Sequence, residues 1–135
     1  MFFCQLMKVY ALSDTRYILS DPFVVSIEAI TVVVWGSLSV ITVFAIIARS
    51  PARHMLQVII CVAHIYGLTL YFVTHLAEKH LRGIEYYRPE AFYYWAYCVG
   101  ANLPWYFAPI YLMKDSYDEM VKAFKALEDK ERKNV

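Results

Sequence analysis

The sequence is short of charge, and neither sign is in clear excess. Asp, Glu, Lys and Arg make up 19% of the 135 residues, and the formal net charge is only +1, whereas soluble domains carry about 25% charged residues. Without a basic excess the chain has little with which to neutralise phosphates, so nucleic acid is not expected as a partner. Cysteine is also sparse. Cys4, Cys61 and Cys98 are an odd number with no C-x-x-C spacing, which predicts neither a disulfide framework nor a zinc site.

Apolar residues, in contrast, are abundant and gather into three long runs. They form 60% of the chain, and the mean hydropathy is +0.42. The runs cover residues 23–48, 55–77 and 91–113, and each has the roughly 20 residues needed to cross a bilayer. In lipid such a run must be helical, because its backbone groups have no other hydrogen-bonding partners. The sequence therefore predicts an all-α membrane helical bundle with three transmembrane helices, at about 22–48, 55–77 and 91–113.

The polar segments around these runs predict the domain organisation. Residues 1–21 form a luminal linker, 22–113 the transmembrane bundle and 114–135 a charged tail with an amphipathic helix. Asp21 followed by Pro22 is typical of a helix start. The turn after the first run and the tail lie on one side of such a bundle, and together they hold eight of the 13 Lys and Arg residues: Arg49, Arg53, Lys114, Lys122, Lys125, Lys130, Arg132 and Lys133. Because positively charged loops stay inside, we expect a cytoplasmic tail.

Glu28 is the only charged residue of the first run. A carboxylate at such a depth costs roughly 2.5–3.5 kcal/mol on insertion scales, so its side chain should face the protein interior, a partner or a cavity. A desolvated carboxyl group is suited to giving and taking protons near neutral pH. Thr31 and Trp35 follow at i+3 and i+7, on the same face of a helix. The alternative is a structural carboxyl that is hydrogen-bonded to a neighbouring helix.

The third run contains Asn102 and Trp105, which share a helix face on either side of Pro104. The proline removes a backbone donor and predicts a kink. An amide and an indole beside a kink can form the wall of an apolar ligand site, and the face of a Trp stabilises cations. The alternative is that Asn102 holds helices together and Trp105 only packs. In the second run, His64 is expected to be a hydrogen-bonded residue of the helix, because it has no metal-ligating companions.

Several motifs occur together in an order that resembles one family. They are Lys8-x-Tyr10, Ser13-Asp-Thr-Arg-Tyr-Ile-Leu-Ser-Asp21, Ile27-Glu-Ala-Ile-Thr31 with Trp35-Gly36, His64-Ile-Tyr-Gly67 with Leu70-Tyr-Phe-x-Thr74, and Asn102-Leu-Pro-Trp105. In these residues, from Phe2 to Met113, the chain resembles the emopamil-binding protein family of sterol Δ8–Δ7 isomerases, within the EXPERA superfamily. The resemblance implies a five-helix bundle of the endoplasmic reticulum membrane.

The resemblance also implies a reaction and its residues. The enzymes of this family shift a sterol ring double bond from C8–C9 to C7–C8: a proton is added at C9, a carbocation forms at C8, and a proton leaves C7. The implied partners are a sterol, membrane lipid and a second copy of the chain, and no cofactor or metal is expected. By motif, the catalytic residues would be Glu28, Trp105, Asn102 and Thr31, and the substrate-binding residues Tyr17, Trp35, Tyr66 and Tyr71.

The sequence departs from the family pattern in one important respect. The family carries two further helices upstream, and the second supplies a His and a Glu from an H-x-x-x-E-G-x-F motif that this sequence does not contain. His64 and Leu68 also replace residues expected there. The sequence is therefore interpreted as an N-terminally truncated form with part of the active site absent. Two alternatives stay open: a non-catalytic EXPERA protein that binds sterols or cationic amphiphiles, and a structural membrane subunit in which Glu28 and Asn102 only hold helices together.

Overall fold

The chain is built from helices, which a computed structural model describes for residues 14–87 and 90–134 and for residue 8, apart from the side chains at 93, 97 and 98. The elements in chain order are α1 (Thr15–Ile18), α2 (Pro22–Ile30), a π-helical segment (Thr31–Trp35), α3 (Gly36–Ile47), α4 (Ala52–Arg82), a second π-helical segment (Tyr93–Gly100) and α5 (Pro104–Lys133). The predicted all-α class is confirmed within these ranges. Most of the predicted linker before residue 14, with Cys4, lies outside the described residues.

The first long helix begins where the sequence predicts. The carboxylate of Asp21 accepts hydrogen bonds from the backbone N–H groups of Phe23 and Val24, at 3.0 and 3.1 Å, and Pro22 occupies the first turn. Both features favour helix initiation because the cap satisfies free N–H groups and proline has none to lose. Together α2, the first π-helical segment and α3 form one apolar helical run of 26 residues, Pro22–Ile47.

The second long helix, α4, has 31 residues and extends beyond the predicted 55–77 at both ends. At its end the side chains of Arg82 and Glu78 form an i,i+4 ion pair at 3.2 Å, and Gly83 adopts a left-handed conformation with φ 67°. Glycine is the usual residue at this position because it has no Cβ to strain. The charged residues after position 77, where the sequence predicted the span to end, therefore lie on the last turns of the helix.

The described residues contain two helices that are long and apolar enough to cross a membrane, Pro22–Ile47 and Ala52–Arg82. The third predicted span is divided. The π-helical segment Tyr93–Gly100 is followed by turns at 101–103, and α5 starts afresh at Pro104. This break lies where Pro104 predicts a kink. From there α5 continues as one helix through the tail to Lys133, because its polar second half has strong helix formers and no further proline.

Burial in this fold is inverted relative to a soluble protein. Large apolar side chains such as Val33, Phe44 and Phe107 are 67%, 66% and 64% exposed. The buried residues include six polar or charged ones: Asp14, Arg16, Thr42, His75, Asn102 and Ser116. Soluble proteins rarely expose continuous apolar surface of this extent, whereas in lipid apolar side chains face outward and polar groups turn inward to find partners. The pattern is that expected of a membrane protein.

Helix α4 lies at the centre, packed along α5 and against α3. Polar side chains join α4 to α5 at several levels. The Gln57 side chain donates to the carbonyl of Leu112 at 3.0 Å, and the hydroxyls of Thr69 and Tyr106 are 3.2 Å apart. Such interhelical hydrogen bonds are a usual means of association where lipid removes the hydrophobic drive between helices. They place one face of α4 opposite both the first helix and the beginning of α5.

Candidate functional site

A groove of about 200 Å³ opens between the apolar helical run Pro22–Ile47, α4 and the start of α5. Its α4 wall is one helix face, at positions 63, 64, 67, 68 and 71, which follow the i, i+4, i+8 spacing of an α-helix. The groove is lined by Tyr17, Ile27, Glu28, Thr31, Trp35, Ala63, His64, Gly67, Leu68, Tyr71, Asn102 and Trp105. The site is therefore assembled from residues up to 88 positions apart, from Tyr17 to Trp105.

The helical run Pro22–Ile47 contributes the carboxyl group of Glu28 to one wall of the groove. The hydroxyl of Tyr17 donates a hydrogen bond to Oε1 of Glu28 at 3.0 Å. Glu28 and Thr31 are exposed in the open groove, and Trp35 is half-buried one turn further on. The π-helical segment Thr31–Trp35 begins directly beside the acid, and such interruptions of α-helices occur frequently at functional sites. Glu28 therefore lines the groove with one carboxyl oxygen held by Tyr17.

The opposite wall carries an amide and two stacked rings. Asn102 is buried at the turn between the second π-helical segment and α5, and Trp105 is on the first turn of α5. The imidazole of His64 lies 5.8 Å from the indole of Trp105, with 9° between the ring planes. His64 Nδ1 is 3.0 Å from the carbonyl oxygen of Ile60. Since a carbonyl only accepts, Nδ1 carries a proton, and this hydrogen bond fixes the ring against the indole.

One end of the groove is held by a buried ion pair. Asp14 and Arg16 are 1% and 3% exposed, and Arg16 Nη2 lies 2.7 Å from Asp14 Oδ2. Burial by itself lowers the pKa of Arg16, but the hydrogen bonds and the charge of Asp14 outweigh it and raise the pKa of this guanidinium above its usual value. The hydroxyl of Tyr71, whose side chain lines the groove, donates to the same carboxylate. Arg16 thus stays charged in the interior.

The structure brings seven of the eight predicted site residues to this groove. The exception is Tyr66, whose ring is 64% exposed on another side of α4. Successive residues of a helix are separated by about 100°, so position 66 cannot share the face of positions 64 and 67. Tyr17, predicted as a substrate-binding residue, donates a hydrogen bond to the Glu28 carboxyl group in the structure.

Sequence reasoning missed the part that His64 and Arg16 play in the site. The expectation that His64 hydrogen-bonds within its helix is confirmed, yet the same ring also lines the groove. Its spacing from Tyr71, seven residues, was a signal for a shared helix face. Arg16 gave no such signal, because an arginine before the first apolar run is ordinarily solvated.

These features define a class: an α-helical protein with an apolar exterior and an interhelical groove that presents a carboxyl group opposite an indole. The chain belongs to the EBP family, EXPERA (EXPanded EBP superfamily), whose family model matches residues 2–116. The family predicted from the motifs is confirmed.

Three named relatives are similar to this chain over most of its length. The 3-beta-hydroxysteroid-Delta(8),Delta(7)-isomerase of Mus musculus is 40% identical over 129 residues, which are 96% of this chain and 55% of that protein. The protein of the same name from Cavia porcellus is 39% identical, over 98% of this chain and 57% of that protein. A probable 3-beta-hydroxysteroid-Delta(8),Delta(7)-isomerase of Oryza sativa subsp. japonica is 34% identical, over 92% and 54%. The chain thus spans about half the length of the curated relatives it matches.

Proposed function

We propose that the protein acts as a sterol Δ8–Δ7 isomerase, which shifts the ring double bond from C8–C9 to C7–C8 through a carbocation. The observation that carries the proposal is that Glu28 and Trp105 line one groove in a chain whose relatives bear the name of this activity. A carboxyl group and an aromatic face are the groups that a proton-transfer reaction through a cationic intermediate needs.

The proposed chemistry uses the carboxyl group of Glu28 and the face of Trp105. Protonated Glu28 gives its proton to C9, and the electron pair of the double bond forms the new C–H bond and leaves a cation at C8. The resulting carboxylate, with Oε1 held by Tyr17, stabilises this cation by its charge, and the face of Trp105 does so by its quadrupole. Loss of the proton from C7 then forms the C7–C8 double bond and returns the ring to neutrality.

The isomerisation releases as many protons as it takes up, so the site needs a group that accepts the C7 proton. In the family this group is expected from the H-x-x-x-E-G-x-F helix, and the 135 residues contain no such motif. The present residues supply the acid, the cation-stabilising wall and, in Thr31, Asn102, Trp35 and Tyr71, the remaining contacts with the sterol. The complete reaction is therefore proposed for the protein in which both halves of the site meet.

The proposed setting is the endoplasmic reticulum membrane, with a third span at 91–113, the tail in the cytoplasm and lipid and a second copy as neighbours. The two apolar helices support a membrane location. The open groove lies between helices whose outer side chains are apolar, which supports a substrate that arrives from the bilayer. A sterol bound there would keep part of its surface in contact with lipid.

Sterol analysis of cells that lack the gene tests the isomerase proposal. We expect Δ8 sterols to accumulate at the expense of Δ7 sterols, and the wild-type gene to restore the normal profile. The purified protein that carries both halves of the site should convert a Δ8 sterol into its Δ7 isomer without any added cofactor. An unchanged sterol profile in the deletion strain, with no conversion by the purified protein, would refute the activity.

A second candidate is a protein that binds sterols or cationic amphiphiles without isomerising them. The observation that favours it is the open groove itself, because one carboxylate and one indole, Glu28 and Trp105, suffice to hold an ammonium group beside an apolar chain. This protein would bind a tertiary amine with a long apolar tail, and Glu28→Gln would abolish that binding. Conversion of a Δ8 sterol by the same preparation would exclude a purely binding role.

A further inference from the structure

The residues just before Tyr17 form a buried polar cluster that the chemistry above does not use. Two nitrogens of Arg16 donate hydrogen bonds to the carboxylate of Asp14. Nε lies 3.1 Å from each carboxylate oxygen, and Nη2 lies 2.7 Å from Oδ2. Both side chains are almost completely buried. Two-pronged contacts of this kind fix the direction of an arginine as well as its distance. The ion pair is therefore a rigid element at the end of the groove.

The cluster ties the turn at 14–18 to α4. Arg16 Nη1 lies 3.4 Å from the carbonyl oxygen of Tyr71 and 3.3 Å from the hydroxyl of Thr74. The guanidinium carbon is 4.4 Å from the centre of the Tyr71 ring, and the Tyr71 hydroxyl donates to Asp14. The turn is thus held by the charge, the hydrogen bonds and the aromatic face of one wall of the groove.

The segment after α4 holds the same turn from the other side. The backbone N–H of Thr15 donates to the carbonyl of Tyr86 at 3.0 Å, and its hydroxyl donates to the same carbonyl at 3.2 Å. The guanidinium of Arg16 lies 5.5 Å from the centre of the Tyr86 ring. One network of contacts therefore joins residues 14–16 to Tyr71, Thr74 and Tyr86, which lie far away in the chain.

The adjoining residue, Tyr17, needs such support. It lies in α1, which has four residues, and a helix of that length has no stability of its own. The position of the Tyr17 ring is consequently set by the contacts of Asp14 and Arg16 rather than by its local backbone. Its hydroxyl makes the 3.0 Å hydrogen bond to Oε1 of Glu28.

We propose that Asp14 and Arg16 are positioning residues for the acid of the groove: their ion pair fixes the turn that carries Tyr17, so that the Tyr17 hydroxyl holds the Glu28 carboxyl facing the ligand. The effect on turnover rests on the proposed isomerase function, whereas the effect on Glu28 itself does not. Lysine at position 16 would keep the charge but lose the fork, and with it the fixed direction.

Two measurements on the purified, complete protein test this proposal. The first is the infrared band of the Glu28 carboxyl group, isolated as the difference between the wild type and Glu28→Gln. The second is kcat and KM for a Δ8 sterol. The variants are Arg16→Lys, Tyr17→Phe and the double variant. Arg82→Lys is the matched control, because Arg82 forms an exposed ion pair with Glu78 outside the groove.

We expect Arg16→Lys and Tyr17→Phe to shift the Glu28 band in the same direction, because both remove the same hydrogen bond. Each should lower kcat by about tenfold to a hundredfold, the usual result of a small misplacement of a catalytic group, with KM little changed. The double variant should lose no more than Tyr17→Phe alone. Arg82→Lys should leave the band and both constants unchanged.

The proposal is wrong if Arg16→Lys leaves the Glu28 band at its wild-type position, or if the losses of kcat multiply in the double variant. Should Arg16→Lys fail to fold, Thr74→Val removes one anchor of the guanidinium and must give a smaller band shift in the same direction. If the variants show the expected band shifts but the wild type has no turnover, the isomerase function is refuted and the positioning role remains supported.

Discussion

The imidazole of His64 lies nearly parallel to the indole of Trp105, with ring centres 5.8 Å apart. The two residues belong to α4 and α5, and the stack holds the indole beside the groove that contains Glu28. A ring that stacks on an aromatic neighbour with one face can contact a ligand with its other face or its edge. The contact therefore gives Trp105 a defined orientation in which its π-system can stabilise a positive charge.

Trp105→Ala should weaken the binding of a tertiary ammonium amphiphile, which resembles the carbocation in charge. A cation–π contact contributes roughly 0.5–2 kcal/mol, so the expected rise in Kd is about twofold to thirtyfold. Equilibrium binding to the protein in detergent measures it. Trp95→Ala is the control, because Trp95 lies outside this groove and its replacement should leave Kd unchanged. Equal losses in the two variants would contradict a specific role for Trp105.

Glu28→Gln should abolish most of the isomerisation while the protein still folds and inserts. The amide keeps the size of the carboxyl group and can still accept the Tyr17 hydrogen bond, but it neither carries charge nor gives up a proton. Loss of a positioned acid typically costs about 10²–10⁴ in rate. Sterol analysis in a strain that carries this variant as its only copy should show Δ8 sterols at normal protein level.

A purely structural Glu28 predicts the opposite result, because polar contacts between transmembrane helices contribute only about 0.6 kcal/mol on average. Glu128→Gln in the tail makes the same chemical change far from the groove and should have no effect on the sterols. A normal sterol profile with Glu28→Gln would favour the binding function over the isomerase function.

Arg16→Gln should destabilise the fold much more than Arg82→Gln. Removing one partner of a buried ion pair leaves the other charge buried and unpaired, which costs about 3–5 kcal/mol, and Asp14 is only 1% exposed. Arg82 is 68% exposed, and surface pairs contribute about 1 kcal/mol or less. Thermal unfolding in detergent compares the two variants. Similar Tm values would show that the Asp14–Arg16 pair is screened by water.

A tag placed after Val135 should be accessible to protease in intact microsomes. The reason is the excess of Lys and Arg in the turn at 49–54 and in the tail, which favours the cytoplasmic side. A tag inserted between residues 83 and 90, in the connection after α4, should be protected until detergent is added. Protection of the C-terminal tag would contradict the orientation, and accessibility of both tags would contradict the number of spans.

Much of the fold could be predicted from the sequence because it depends on local properties. The length and polarity of the first two runs predict long apolar helices, and Asp21 with Pro22 predicts where the first one begins. Glu28 and Trp105 were singled out because a charge and an indole are conspicuous in apolar surroundings. The bounds were less predictable. The end of α4 depends on Gly83 rather than on polarity, and α5 runs through the change from apolar to charged residues.

The assembly of the site was decided only by the tertiary structure. Helical periodicity states which residues share a face, but not which face meets which neighbour, and that depends on packing between segments that are far apart in the chain. Tyr66 was therefore expected in the groove and points elsewhere, whereas His64 reaches it. The same reason hid Arg16: its carboxylate partner is two residues away, but its burial needs α4 and the segment at 86 to close over it. Composition determined that the protein is helical and apolar, and long-range packing determined which polar groups meet inside it.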